Sequence, residues 1–84
     1  MRQTDIGFLA RACGGRISGR AELSVSDVKI DSRACGAGDL FVCVVGDIND
    51  GHRFIGPAYE NGCRAFLVSE VVEEHDDAAY IHVE

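Results

Sequence analysis

Two short apolar segments separated by a helical pattern constrain the fold of this chain more than any other feature. Residues 40–45 are continuously apolar and rich in β-branched side chains, which predicts a strand buried on both faces of a sheet. Residues 63–69 predict a second strand of this kind. Between them, an apolar face at helical spacing runs over residues 52–61. Proline fits only the first turn of a helix, so Pro57 predicts that the regular helix begins near Gly56. Consecutive strands joined through a helix run parallel, with a right-handed crossover.

The rest of the chain supplies flanking elements. A helix is predicted over residues 4–13, with Thr4 as its N-cap and Gly14 as its stop. The mixed alternation of residues 25–30 indicates a half-exposed strand toward a sheet edge. Short strands near Ile17 and over residues 79–83, with a solvated turn or short helix over residues 70–77, complete the order. The sequence therefore predicts one α/β domain over residues 1–84, in two or three layers, with a short, mostly parallel sheet flanked by helices.

Composition and charge exclude several classes of function. The 84 residues carry a net charge of −6, and an acidic surface repels nucleic-acid backbones and anionic membranes. Neither nucleic acid nor a membrane is therefore an expected partner. No apolar run approaches the roughly 18–20 residues of a membrane-spanning helix, and no secretory signal follows Arg2. We expect a cytoplasmic protein.

Cysteine and histidine spacing does not predict a metal site. The four cysteines include no Cys-x-x-Cys pair, and the three histidines have no zinc-ligand spacing. Free thiols are expected because no secretory signal is found, and a disulfide-bearing secreted module stays open as the alternative.

Two loops carry the polar groups that suit a ligand. Asp31, Ser32 and Arg33 follow one predicted strand, and residues 46–51 follow the next. Because ligands bind outside the carboxyl ends of parallel strands, these loops are expected on one rim, where they would suit a small polar ligand with a ring and phosphates. The alternative is structural: a local Asp31–Arg33 salt bridge and glycines chosen for backbone geometry. The Lys-Ser/Thr pair of an ATP-binding P-loop does not follow the second glycine.

The same residues resemble the N-terminal domain of the Mur ligases, the cytoplasmic, ATP-dependent amino-acid ligases of peptidoglycan synthesis. The resemblance covers the whole chain and is tightest over residues 30–69. It rests on Asp31-Ser32-Arg33, Gly38-Asp39-Leu40-Phe41-Val42, Gly46, Asp50-Gly51-His52-Arg53-Phe54-Ile55, Ala58 and Asn61-Gly62-Cys63-Arg64-Ala65.

This string resembles the two later-acting ligases of the family. The opening residues 9–19 resemble the ligase that adds D-alanyl-D-alanine to the UDP-N-acetylmuramoyl tripeptide. Residues 41–46 and 50–55 resemble at least as well the ligase that adds the third residue to UDP-N-acetylmuramoyl-L-alanyl-D-glutamate. The first is the expected function and the second the alternative; a non-enzymatic interaction domain that has lost the ligand is a third possibility.

The resemblance implies that this domain binds the UDP moiety of a UDP-N-acetylmuramoyl-peptide. By position, Ile30 and Ser32 should meet the uracil and its surroundings, and Arg33 should brace the rim. Asp47, Ile48 and Asn49 belong to the loop that closes over the nucleotide. No cofactor is expected in this domain, and ATP and Mg²⁺ are expected in the full-length parent enzyme. There the central domain binds ATP, which phosphorylates the substrate carboxylate, and the C-terminal domain helps bind the incoming amino acid or dipeptide. Without those domains, the chain is expected to be an excised domain or a stand-alone remnant, not a catalyst.

Overall fold

A five-stranded mixed sheet forms the centre of the molecule, in the strand order β2-β7-β6-β5-β4. The computed structural model describes residues 3–20, 22–43 and 50–83. Strands β4 to β7 pair in parallel, and β2 pairs antiparallel with β7. The elements are β1 (Thr4–Asp5), α1 (Ile6–Cys13), β2 (Arg16–Gly19), β3 (Ser24–Val25), β4 (Asp27–Lys29), β5 (Asp39–Val42), a 3₁₀ helix (Gly51–Phe54), α2 (Ile55–Glu60), β6 (Ala65–Val68) and β7 (Ala79–His82).

The predicted strand–helix–strand unit is present. Strands β5 and β6 are parallel neighbours, and the 3₁₀ helix and α2 lie between them in sequence. Pro57 is in the first turn of α2, as its missing N–H requires. The helix ends before Gly62, whose φ of 105° is left-handed and favours glycine. The mostly parallel α/β fold class is therefore confirmed.

Several boundaries differ from the predicted ones, and two of these differences have a clear local cause. Asp5, not Thr4, caps α1, because its carboxylate accepts a hydrogen bond from the Phe8 N–H at 2.7 Å. The strand predicted over residues 25–30 is divided at Ser26, whose N–H donates to the Gly38 carbonyl at 2.7 Å. The first piece, β3, pairs with β1 in a separate two-stranded sheet, and the second, β4, is the predicted edge of the main sheet.

Two hydrophobic clusters pack on opposite faces of the sheet. Successive residues along a strand point to opposite faces, and in β6 Ala65 and Phe66 belong to different clusters. Ile55 and Ala58 of α2 cover one face, and α1 covers the other with residues that include Ile6. The domain therefore has three layers, with the sheet in the middle.

The polar segment between β6 and β7 contains no helix or strand among its described residues. Two side chains bind it instead, Tyr59 of α2 and Arg64, which directly precedes β6. The Tyr59 hydroxyl donates to Asp77 Oδ1 at 2.7 Å, and Arg64 Nε donates to Asp77 Oδ2 at 3.1 Å. The Arg64 guanidinium also lies 3.8 Å from the centre of the Tyr59 ring. A cation over an aromatic face is attracted by it, so Tyr59 and Arg64 together fasten this segment.

All four cysteines are free thiols. Cys13 is exposed, whereas Cys35, Cys43 and Cys63 are buried. Burial raises the pKa of the Cys43 thiol to about 12. In the part of the chain that the structure describes, no helix has the length and apolarity needed to cross a bilayer.

Candidate functional site

An open groove of about 610 Å³ lies at the carboxyl end of β4. Parallel strands bring their carboxyl ends to the same edge of a sheet, which is where such folds bind ligands. Four consecutive residues after β4 form one side, and two residues from the 3₁₀ helix and α2 form the other. The lining residues are Ile30, Asp31, Ser32, Arg33, Phe54 and Pro57.

A tight turn gives the first side of the groove its shape. The Ala34 N–H donates to the Asp31 carbonyl at 3.0 Å. Arg33 binds the Asp31 carboxylate through two guanidinium nitrogens, Nε at 3.1 Å and Nη2 at 3.0 Å, and through its backbone N–H at 2.9 Å. The hydrogen bonds from Arg33 lower the pKa of the Asp31 carboxyl. The local salt bridge that was the structural alternative for this pair is therefore present.

Ser32 is the buried polar residue of the turn, with 8% of its surface exposed. Its carbonyl accepts a hydrogen bond from Asn61 Nδ2 at 3.0 Å, which ties the turn to the end of α2. Its hydroxyl has no hydrogen-bond partner among residues 3–20, 22–43 and 50–83. A hydroxyl can donate one hydrogen bond and accept two, so this group can serve a ligand without breaking an existing bond.

The groove also has an apolar wall. Ile30 is 72% exposed and Phe54 is 41% exposed, and Pro57 is also exposed. Exposed apolar side chains that converge on one groove favour binding of a flat apolar or aromatic group. Phe54 and Pro57 were not predicted from the sequence as lining residues. The usable signal was an aromatic residue immediately after the second polar loop.

The predicted site residues are thus partly brought together. Ile30, Ser32 and Arg33 line one groove, and all three come from the segment that follows β4. Asp47, Ile48 and Asn49 lie outside the described residues. The role predicted for each of the six in ligand binding stays a prediction.

A second cavity, of about 680 Å³, lies between the end of α1 and the carboxyl end of β7, three strands from β4 in the sheet order. It is lined by Cys13, Gly14, Gly15, Arg16, His82 and Val83. The carboxyl end of a helix carries partial negative charge, which disfavours anions such as phosphates. For a ligand with a ring and phosphates, the groove beside β4 is therefore the better candidate.

One cluster of possible metal ligands occurs among the described residues: Asp50, His52 and Glu70. The Ser69 N–H donates to His52 Nε2 at 3.0 Å, so that nitrogen carries a lone pair and no proton. The proton of the neutral ring therefore sits on Nδ1, which faces Asp50 Oδ1 at 2.5 Å and Glu70 Oε1 at 3.8 Å. A metal on Nδ1 would move the proton to Nε2, against the Ser69 N–H. This arrangement favours a hydrogen-bonded histidine over a metal ligand.

Comparison with known proteins gives a consistent set of similarities. The sequence model of the "Mur ligase family, catalytic domain" matches residues 24–83. The UDP-N-acetylmuramoyl-L-alanyl-D-glutamate–2,6-diaminopimelate ligase of Clostridium perfringens is 40% identical over 67 residues, which are 80% of this chain and 14% of that protein. The ligase of the same name from Chlorobaculum tepidum is 40% identical over 73 residues, 87% of this chain and 14% of that protein.

Solved structures share the fold. MurF from Acinetobacter baumannii superimposes with a TM-score of 0.88 at 22% identity, over 99% of this chain and 18% of that one. MurF ligase from Thermotoga maritima, solved in complex with ADP, gives a TM-score of 0.62 at 32% identity, over 71% of this chain and 14% of that one. The chain spans about one seventh of the length of the curated relatives it matches.

Proposed function

The chain belongs to the Mur ligase family, and we propose that it binds the uridine-diphosphate end of a UDP-N-acetylmuramoyl-peptide within a ligase of peptidoglycan synthesis. The names of the relatives supply the substrate class, because they begin with that nucleotide. The observation that carries the proposal is the groove at the end of β4, which joins a free hydroxyl, an apolar wall and a guanidinium.

Each part of the groove suits one part of a uridine nucleotide. Ile30 and Phe54 offer an apolar surface for the uracil ring, and the Ser32 hydroxyl offers a hydrogen bond to the ring or ribose. Among the described residues that line the groove, Arg33 is the one cation, and its side chain is 89% exposed. It supplies the charge that a diphosphate needs, in competition with Asp31. Asp47, Ile48 and Asn49 are proposed to close over the nucleotide.

ATP and Mg²⁺ are proposed to act in other domains of a full-length ligase. The lining residues that the structure describes include no lysine and a single guanidinium, which binds Asp31. No lysine follows Gly51 in the polar loop either. We accordingly propose that the 84-residue chain binds substrate without catalysing ligation, and that the full enzyme acts in the cytoplasm.

Two ligases of the family remain candidates. Curated relatives that are 36–40% identical are named for addition of 2,6-diaminopimelate to UDP-N-acetylmuramoyl-L-alanyl-D-glutamate. This favours the tripeptide-forming ligase, which was the alternative from sequence. The D-alanyl-D-alanine-adding ligase is the second candidate, favoured by the 32% identity to the Thermotoga maritima MurF. Both candidate ligases bind a substrate with the same nucleotide, so the proposed role of the groove is the same for either.

An NMR titration of the isotopically labelled chain with UDP-N-acetylmuramic acid tests the proposal. Amide shifts should concentrate on residues 30–33 and on Phe54, and uridine alone should give part of the same pattern. Inorganic pyrophosphate is the control for simple anion binding. Shifts confined to residues 70–77, or no shifts at millimolar ligand, would refute the assignment.

A matched pair of serine variants sharpens this test. Ser32→Ala removes one neutral hydrogen bond, worth about 0.5–1.5 kcal/mol, which is a loss of affinity of about two- to twelvefold. Ser26→Ala is the control, because Ser26 lies before β4, at the opposite end of that strand. Equal nucleotide affinities of the two variants would show that Ser32 is not part of the binding site.

A further inference from the structure

We infer that His52 is a positioning residue for the groove: its ring fastens the 3₁₀ helix that carries Phe54 to the end of β6. The expected effect on ligand binding rests on the proposed function, whereas the attachment of the 3₁₀ helix by the ring does not. His52 does not line the groove, and only 4% of its side chain is exposed. It acts through Phe54, which lies two residues further along the same 3₁₀ helix.

The ring bridges two loops that leave neighbouring strands. Its Nδ1–H donates to Asp50 Oδ1, and Asp50 directly precedes the 3₁₀ helix. Its Nε2 accepts the Ser69 N–H at 3.0 Å, and Ser69 directly follows β6. The same Asp50 oxygen accepts the backbone N–H of His52 at 3.0 Å. One neutral ring, in the Nδ1–H tautomer, thus satisfies both contacts at once.

Among the described residues, the ring of His52 supplies the side-chain hydrogen bond that joins the 3₁₀ helix to the sheet. The helix has four residues, and neither Arg53 nor Phe54 is buried. Its backbone bonds include Arg53 N–H to the Asp50 carbonyl at 3.1 Å, which shapes the turn but does not attach it to the sheet. Ile55 anchors the following helix in the core. His52 therefore holds the chain on the N-terminal side of Phe54, as Ile55 does on the C-terminal side, and so positions the apolar wall of the groove.

Three variants separate the two hydrogen bonds. Glutamine places an acceptor near the position of Nε2 and keeps the bond from Ser69, whereas asparagine places a donor near Nδ1 and keeps the bond to Asp50. His52→Ala removes both. Because the bond to Ser69 joins the helix to the sheet, we expect His52→Ala to weaken uridine diphosphate binding about tenfold, His52→Asn nearly as much, and His52→Gln least. His82→Ala is the control, because His82 lies on β7, three strands from β4 in the sheet order; this variant should bind as the unmodified chain does.

The protonation of the ring is measured in the unmodified chain by long-range nitrogen–proton NMR correlation. A proton on Nδ1 and none on Nε2 is expected at neutral pH, together with a shift of the Phe54 ring signals in His52→Ala that the Gln variant reduces. A proton on Nε2, unchanged Phe54 signals, or equal affinity of the Ala variant and the unmodified chain would overturn the inference. If the unmodified chain binds no uridine nucleotide, the proposed function fails. The inference is then decided by the tautomer and the Phe54 signals.

Discussion

Phe54→Ala should weaken nucleotide binding by an amount set by the surface that Phe54 still exposes. A phenylalanine side chain buries about 150–250 Å² when fully covered, and Phe54 is 41% exposed in the free protein. A ligand can therefore cover at most about 80 Å² of it. At about 25 cal/mol per Å², full coverage is worth about 2 kcal/mol. A ring stacked on one face would cover about half of that area, worth about 1 kcal/mol.

These free energies correspond to a loss of affinity between about fivefold and thirtyfold. The loss is measured by comparing dissociation constants for uridine diphosphate, obtained by NMR titration of each variant. Phe8→Ala is the matched control, because Phe8 is 56% exposed but belongs to α1 on the other face of the sheet. An affinity of Phe54→Ala within twofold of the unmodified chain, or an equal loss in Phe8→Ala, would show that the groove wall does not hold the base.

Three further predictions concern stability and reactivity. Gly19→Ala should lower the free energy of unfolding in urea more than Gly14→Ala does. Both glycines have left-handed φ angles, which cost other residues about 1–2 kcal/mol. Of the two, only Gly19 would also place the new Cβ 2.2 Å from a backbone carbonyl oxygen. Equal losses of unfolding free energy in the two variants would contradict this. Only Cys13 should react with iodoacetamide in the folded chain, since the other three cysteines are buried; mass spectrometry should find one adduct, and four after unfolding. The hydrogen bond from Tyr59 lowers the pKa of the exposed Asp77 carboxyl, so its stabilising effect is present at neutral pH and lost as the pH falls below about 4. The difference in unfolding free energy between Asp77→Asn and the unmodified chain should shrink over that range, and a constant difference would contradict this.

The central part of the fold was predictable because it depends on local pattern. Continuous apolar runs separated by a helical pattern specify parallel buried strands whatever lies around them. The division at Ser26 was not predictable in this way. It depends on the pairing of β3 with β1, about 20 residues away in sequence, and on a hydrogen bond to the Gly38 carbonyl.

The candidate site shows the same contrast. Ile30, Ser32 and Arg33 are consecutive or nearly so, and their meeting on one rim follows from the end of a single strand. Phe54 belongs to the apolar face predicted at helical spacing over residues 52–61, and that spacing assumes about 3.6 residues per turn. The chain instead winds as a 3₁₀ helix through Phe54, at 3.0 residues per turn, and this places the ring partly in solvent.

The antiparallel pairing of β2 with β7 sets the order in which the fold can assemble on the ribosome. β2 is the first strand of the main sheet in sequence and β7 is the last, and their paired residues are about 60 positions apart or more. Translation proceeds at about 5–20 residues per second, so β2 is synthesised several seconds before β7, its partner among the described strands. During that interval the parallel strands β4, β5 and β6 can already pair, while β2 keeps an open edge. The last residues of β7 complete the sheet, so a ribosome stalled before residue 79 would display a chain with an exposed strand.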